Sequence, residues 1–338
     1  MDYRLLGRTG VSVSPLALGA MMFGPWGNDD RDAAIRIIHR ALDAGINFID
    51  TADIYSGGVS EEIVGEALRG RRDDVVLATK FFSPMDDDLN HRGSSRRWIM
   101  QEVENSLRRL GTDYIDLYQV HRPNPNVDIE ETLGAMTDLV RQGKVRYIGS
   151  STFSGSEIVE AQWASRERGL ERFVTEQPPY SLLVRGIELD VLPAIQKYGM
   201  GSLSYSPLGG GWLSGSWSKD SAPTSPARKR LAARFDMSTP ANRRKLEIVD
   251  GLAQVAEDAG LTMIELAIGF VINHPGITSA IIGPRTLEQL ESQLPAVKVH
   301  LSTEILDRID ALAAPGVTVN PADHSYGDNT LTLTARRR

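Results

Sequence analysis

Three ionisable side chains close three short apolar runs: Asp50 ends INFID, Lys80 ends VVLATK and His121 ends YIDLYQVH. Each follows several residues of strand-like sequence, so each belongs at a strand end with limited access to water. A charge in such a place is costly unless an opposite charge or a hydrogen bond meets it. Singly, they read as a loop cap, a loop lysine and a structural histidine, but an aspartate and a lysine facing one space remove that cost for each other. Tyr55 lies just past Asp50, in DTADIYSGGVSEE. A phenol held beside the Lys80 ammonium has its phenolate favoured, which predicts a pKa below the ordinary value of about 10. Asp50, Tyr55, Lys80 and His121 therefore form a candidate catalytic group with Tyr55 as general acid.

These residues meet only if their strands are neighbours. A brief apolar run, a polar residue or glycine, and an amphipathic stretch recur along the chain; the runs are PLALG, INFID, VVLATK, YIDLYQVH, VRYIGSS, RFVTEQ, GSLSYS and SAIIG. Strands that alternate with helices pair in parallel. The runs end near Gly19, Asp50, Lys80, His121, Ser151, Gln177, Ser206 and Gly283, at steps of 31, 30, 41, 30, 26, 29 and 77 residues. Eight strands joined by six steps of similar size and one with an insertion predict an α/β fold, a single (β/α)8 (TIM) barrel. An N-terminal β-hairpin, Tyr3–Leu6 with Val11–Ser14, precedes it. The whole of 1–338 reads as one domain, with its core at about 3–313 and a C-terminal tail at 314–338 whose terminal ARRR is expected to be solvated. The long step contains 208–240, rich in Gly, Ser and Pro, which is expected to be a long mobile loop on the C-terminal face. Helices follow over Asn242–Gly260, over Thr262–Pro275 with Thr262 and Glu265 as a capping box, and near Thr303–Ala313.

The composition narrows the function classes. Apolar residues make up 41% and charged residues 24% of 338, the balance of a globular protein. A net charge of −7 provides no basic field for nucleic acid or an anionic membrane. The absence of cysteine removes thiolate nucleophiles and cysteine-based metal sites. The N-terminal MDYRLLGRTG lacks the apolar core of a signal peptide, and every apolar stretch is interrupted well before about 18 residues, so a cytoplasmic location is expected. A GxGxxG fingerprint is missing, because Gly209-x-Gly211 leads to Ser214, and Walker A, HExxH and GxSxG motifs are missing too.

The stretches FIDTADIYSGGVSEEIVGEAL, LATKF, DYIDLYQVHRP, RYIGSSTFS, YSPLGGGWLSG and IIGPRTLEQLE occur in order, and the likeness they carry runs from Leu5 to about Leu312. In them the chain resembles the aldo-keto reductase superfamily. That resemblance implies a barrel that binds NADPH, or less often NADH, and reduces aldehydes and ketones with a tetrad of Asp50, Tyr55, Lys80 and His121. It implies further that Ser151 and Gln177 hydrogen-bond the nicotinamide carboxamide and that Tyr205 stacks on the ring. Ser206, Pro207, Leu208, Gly210, Leu213 and Gly215 would follow the pyrophosphate, and Gly283, Arg285 and Gln289 would hold the adenosine end. Two positions depart from the pattern. Thr152 follows Ser151 where relatives commonly have asparagine, so a hydroxyl supplies a carboxamide contact or the contact is lost. Gln293 stands where an asparagine commonly touches adenine, which leaves that contact open. Arg285, near the start of a helix, points to NADPH over NADH through its guanidinium fork and the helix dipole.

Apolar side chains crowd the loops around the opening: Met22, Phe23 and Trp26, then Phe81, Phe82 and Met85, then Trp212 and Trp217, with Tyr326 in the tail folding back. Trp26, Phe82 and Trp212 are the candidate substrate-facing residues, which favours apolar carbonyls over small sugars, although about half of the set is expected to pack beneath its own loops. The likeness extends to potassium-channel β-subunits, which use the same barrel as a regulatory cofactor-binding module. A long assembly loop or an N-terminal arm would favour that alternative, and the hairpin here begins at residue 3.

Overall fold

The computed structural model describes residues 1–217 and 232–326. Eight parallel strands close into a barrel: β3 (Leu16–Gly19), β4 (Phe48–Asp50), β5 (Val76–Phe81), β6 (Ile115–Val120), β7 (Val145–Ser151), β8 (Thr175–Gln177), β9 (Gly201–Tyr205) and β10 (Ser279–Ile282). β10 pairs with both β9 and β3, so no strand edge is left open. The barrel expected from the repeat of βα units is the barrel observed.

Alternation along each strand explains both the core and the site. Successive side chains point to opposite faces, so residues two apart share the barrel interior. Phe48, Ala78, Leu117 and Leu203 form an apolar floor with Ala17 and Ile281. Two residues further along their strands stand Asp50, Lys80, Gln119 and Tyr205. The register Lys80↔Gln119 and Ser151↔Gln177 keeps these polar residues level across neighbouring strands. One strand period thus lays an apolar layer below a polar one.

The floor is closed from beneath by the hairpin, β1 (Arg4–Leu5) and β2 (Ser12–Val13), which buries Leu6 and Val13 against it. Gly7 makes this approach possible: its φ is +58°, and a Cβ there would stand 2.8 Å from the Gly201 nitrogen. The outer layer is helical: α1 (Arg31–Asp43), α2 (Val59–Ala67), α3 (Arg96–Leu110), α4 (Ile129–Arg141), α5 (Gly155–Arg168) and α6 (Val191–Tyr198) each follow a strand. After β9 come α7 (Ala232–Phe235), α8 (Pro240–Asp258) and α9 (Met263–Asn273), and after β10 come α10 (Leu287–Gln293) and α11 (Thr303–Leu312). The capping box expected at Thr262 and Glu265 is formed in both directions. Among the described residues no helix is long and apolar enough to cross a membrane.

The tail departs from a core that ends at 313. Thr318 bridges to Val184, Asn320 donates to Asn242 Oδ1 at 2.8 Å, and Asp323 accepts from Lys245 Nζ at 2.8 Å. Residues 314–326 are therefore fastened to the barrel by polar bonds that hydrophobic periodicity does not register. The ARRR terminus, and residues 218–231 of the loop expected to be mobile, lie outside the described residues.

Candidate active site

Lys80 is fully buried at the end of β5, and its ammonium is tied on three sides. It donates to Asp50 Oδ1 at 2.6 Å, to the Thr51 carbonyl at 2.7 Å and to the Tyr55 hydroxyl at 3.3 Å. Asp50 Oδ2 accepts from Gln177 Nε2 at 2.8 Å and Gln119 Nε2 at 3.2 Å. Burial opposes the ammonium, but Asp50 and Tyr55 outweigh it and the Lys80 pKa rises. The Lys80 charge is therefore permanent near neutral pH and locked in one direction.

Tyr55 opens a short 3-10 turn, Tyr55–Gly58, in the loop after β4, with Ser56 at φ +52°. Its ring meets that of His121 edge-on, with centroids 5.8 Å apart, and that of Trp26 at 6.2 Å. The pKa depressed by Lys80 that the sequence predicts is not found. Burial pushes the phenol above its ordinary value, and the Lys80 and Arg122 charges, partly countered by Asp50, do not bring it back. The error came from counting the charge and not the desolvation. A general acid does not suffer from this, since a phenol of raised pKa is fully protonated at neutral pH. His121 is shifted the other way: burial, then Lys80 and Arg122, hold its pKa well below the usual imidazole range. It is a neutral hydrogen-bonding group facing a neutral phenol.

Sequence reasoning missed Gln119, Thr51 and Arg122. Gln119 was legible in principle, because YIDLYQVH places it two residues before His121 and so on the same face. Thr51 acts through a backbone carbonyl, which leaves no mark on residue type.

The residues that the resemblance assigns to a cofactor stand at the ends of β7, β8, β9 and β10, in the loops that follow β9 and β10, and in α10. Ser151 and Gln177 are buried at the ends of β7 and β8, and Ser151 Oγ donates to the Gln177 carbonyl at 2.9 Å. Thr152 adopts φ +61°, a conformation asparagine takes readily, and its hydroxyl accepts from Arg122 Nη1. Tyr205 ends β9, and its buried hydroxyl has no hydrogen-bond partner among the described residues. Ser206 at φ +59° and Gly210 at φ +67° turn the chain sharply beside Pro207 and Leu208, and Leu213 and Gly215 carry it onward. Beyond β10, a Cβ on Gly283 would meet open space. Gln289 Oε1 accepts from the Arg285 backbone N–H at 2.8 Å, fixing the turn on which the exposed guanidinium stands. Gln293 is buried, and its Oε1 has no hydrogen-bond partner among the described residues. Polar atoms at Tyr205 and Gln293 without a partner among the described residues, with open space beside Gly283, suit an extended polar ligand laid from strand ends to α10.

The rim corrects one assignment. Trp212 is 1% exposed: it stacks on Trp217 at 3.9 Å, lies parallel to Phe235 at 6.0 Å and has Lys245 Nζ 4.5 Å from its ring centroid. It is buried against these side chains, which is packing and not a substrate wall. Phe23, Phe81 and Trp217 are buried as well, whereas Trp26 is 37% exposed and Met22, Phe82 and Met85 are partly so. Tyr326 folds back onto the core with its hydroxyl buried.

The model of the aldo/keto reductase family matches residues 15–314. An "Uncharacterized oxidoreductase YrpG" of Bacillus subtilis (strain 168) is 41% identical over 94% of this chain and 97% of its own. A "Probable voltage-gated potassium channel subunit beta" of Oryza sativa subsp. japonica is 35% identical over 92% and 96%. "Aldo-keto reductase YhdN" of Bacillus subtilis (strain 168) is 38% identical over 86% and 87%. With closed barrel, strand-end quartet and a family match over most of its length, the chain belongs to the aldo/keto reductase family.

Proposed function

We propose that the protein is an NADPH-dependent carbonyl reductase with Tyr55 as its general acid. The observation that carries this reading is Lys80 Nζ, buried and bonded at once to Asp50 and Tyr55. Bound NADPH would supply hydride to the carbonyl carbon. The residues do the rest. Ser151 and Gln177 would hold the carboxamide, Tyr205 the ring face, the turn from Ser206 to Gly215 the pyrophosphate, and Gly283, Arg285, Gln289 and Gln293 the adenosine end. His121, neutral, donates a hydrogen bond that orients and polarises the carbonyl oxygen. Tyr55 passes its proton to that oxygen as the alcohol forms, and the phenolate left behind is stabilised by the Lys80 ammonium 3.3 Å away. Asp50, with Gln119 and Gln177 behind it, keeps Lys80 aimed.

A second reading, a regulatory module in which cofactor turns over slowly, is favoured by the channel-subunit name of the rice relative. The two part on rate. In a screen of aldehydes, ketones and quinones followed at the NADPH absorbance, the reductase reading expects many turnovers at about 1 s⁻¹ or faster on its better substrates. Oxidation of one NADPH per protein followed by arrest would sustain the module and reject the reductase.

A further inference from the structure

Three arginines set into this protein are neutralised by carboxylates. Arg72 meets Asp116, Arg109 meets Glu61 and Glu102, and Arg185 meets Glu188 and Asp310. Arg122, like the partly buried Arg4 and Arg172, has no such partner among the described residues, and it is the one of these next to the catalytic group. Half-buried beside His121 in the loop after β6, it makes one bond among the described residues, from Nη1 to the Thr152 hydroxyl. No described carboxylate lies within ion-pair distance of it. Arg122 follows His121 directly and bonds to Thr152, the residue after Ser151 at the end of β7, so the guanidinium stands over the C-terminal ends of β6 and β7, beside the catalytic group. The other cation of the site, Lys80, is already balanced by Asp50. The opening therefore carries a net positive charge on a planar donor fork whose remaining N–H groups have no partner in the described protein. A fork of this kind matches a carboxylate in two parallel hydrogen bonds.

We propose that Arg122 is a subsite for an anionic group on the substrate, and that the preferred carbonyls carry a carboxylate beyond an apolar body. The inference rests on the reductase reading above and names its substrate class. The apolar body would lie against Trp26 and the partly exposed Phe82, the carbonyl oxygen between Tyr55 and His121, and the carboxylate on Arg122. Thr152, in place of the commoner asparagine, takes part by holding one guanidinium nitrogen while the others face outward.

The test compares 4-formylbenzoate with its methyl ester, which keeps ring and aldehyde and removes the charge. In the wild-type enzyme with NADPH, the acid is expected to exceed the ester in kcat/KM by about tenfold, the equivalent of ~1.4 kcal/mol. Salt gives a check that needs no variant. The chain bears a net charge of −7, so its overall field repels an anion and added salt would help the acid; a local arginine contact makes added salt hurt it. The acid-to-ester ratio should fall with ionic strength. It should collapse toward unity in Arg122→Gln and survive in large part in Arg122→Lys. Binding of the product 4-(hydroxymethyl)benzoate to the NADP+ complex, by calorimetry, should weaken in Arg122→Gln by a similar factor. An ester turned over as well as the acid, or a ratio that Arg122→Gln leaves unchanged, would overturn the subsite while leaving the reductase intact. Loss of NADPH affinity in Arg122→Gln with an unchanged ratio would assign Arg122 to the cofactor instead. Absence of turnover on both aldehydes and on a wider panel would sink the reductase reading itself.

Discussion

The strand ends and the seventh loop of this barrel each hold a lysine against aromatic rings, and they use the arrangement oppositely. At the strand ends, Lys80 stands 4.9 Å from the centroid of the Tyr55 ring, with the rings of Trp26 and His121 at 6.2 and 5.8 Å from it. At the loop after β9, Lys245 of α8 stands 4.5 Å from the Trp212 ring, and Trp217, Phe235 and the tail residue Asp323 enclose the pair. Both lysines are fully buried and both are paired with an aspartate. What differs is the remaining partner: a phenol with an exchangeable proton in one case, an indole without an acid function in the other. Burial with a counter-ion is therefore a structural solution common to both, and it becomes chemistry only where a titratable group completes it and faces an opening.

The sharpest way to break that distinction is Tyr55→Phe. With ring and packing kept and the proton removed, kcat for carbonyl reduction should fall by about 10²–10⁴-fold while the NADPH dissociation constant stays within about twofold. The two pKa shifts set the pH profile. Tyr55 must be protonated and lies above its ordinary value; His121 must be neutral and lies below its own. Protonated Tyr55 is the form present below its pKa and neutral His121 the form present above its pKa, so both are in the required state across neutral pH. The kcat profile should be flat from about pH 6.5 to 9. A midpoint inside that window would mean that another group supplies the proton.

The counterpart on the loop is Trp212→Ala. Removing a buried indole from the Trp217, Phe235 and Lys245 stack should cost about 3–5 kcal/mol of stability in chemical denaturation. The partly exposed Trp26, replaced by alanine, should change stability by no more than about 0.5 kcal/mol. Similar costs for the two would erase the division between packing and rim aromatics.

That division shows why one region is legible in the sequence and the other is not. Strand residues point in or out by a period of two, so a run such as INFID or VVLATK announces the direction of its last side chain, and Asp50 and Lys80 could be read directly. The barrel followed from the same regularity repeated at near-constant spacing. No such period governs GGGWLSGSW, and Trp212 turned inward because α8 brought Lys245 beneath it and the tail brought Asp323, contacts of long sequence separation. The Tyr55 pKa failed for a related reason: the sequence names its charged neighbour but not the packing that desolvates it. Gln119 was within reach of the period-two rule and was overlooked because a glutamine in a strand carries no chemical signal of its own.

A smaller effect tests whether the last βα loop reads charge. Arg285 is exposed, and its backbone is pinned by Gln289 and by Asn28, whose Nδ2 donates to the Arg285 carbonyl at 2.8 Å. A solvent-exposed guanidinium facing a 2′-phosphate contributes about 1 kcal/mol, so Arg285→Ala should raise the NADPH dissociation constant about fivefold and that for NADH far less. The difference should shrink as salt is added. Equal weakening of both cofactors would place Arg285 outside the phosphate site.

The smallest expected effect concerns Trp26 as a substrate wall. Its backbone N–H donates to Ser56 Oγ at 3.2 Å, which fixes the first loop against the turn that carries Tyr55, and its ring lies 6.2 Å from the Tyr55 ring. The exposed part of that ring is apolar surface that an aromatic substrate would cover and a small polyol would not. Covering about 40 Å² at ~25 cal/mol per Å² is worth ~1 kcal/mol, a factor of about five in affinity. Benzaldehyde-like carbonyls should therefore exceed glyceraldehyde in kcat/KM, and Trp26→Ala should narrow the gap by about fivefold. Because the contact is made equally before and during proton transfer, the change should fall on KM and leave kcat nearly constant. A Trp26→Ala enzyme that kept the full preference would move the apolar wall to Phe82 and the methionines beside it. A loss in kcat instead would show that Trp26 acts by holding the Tyr55 turn in place.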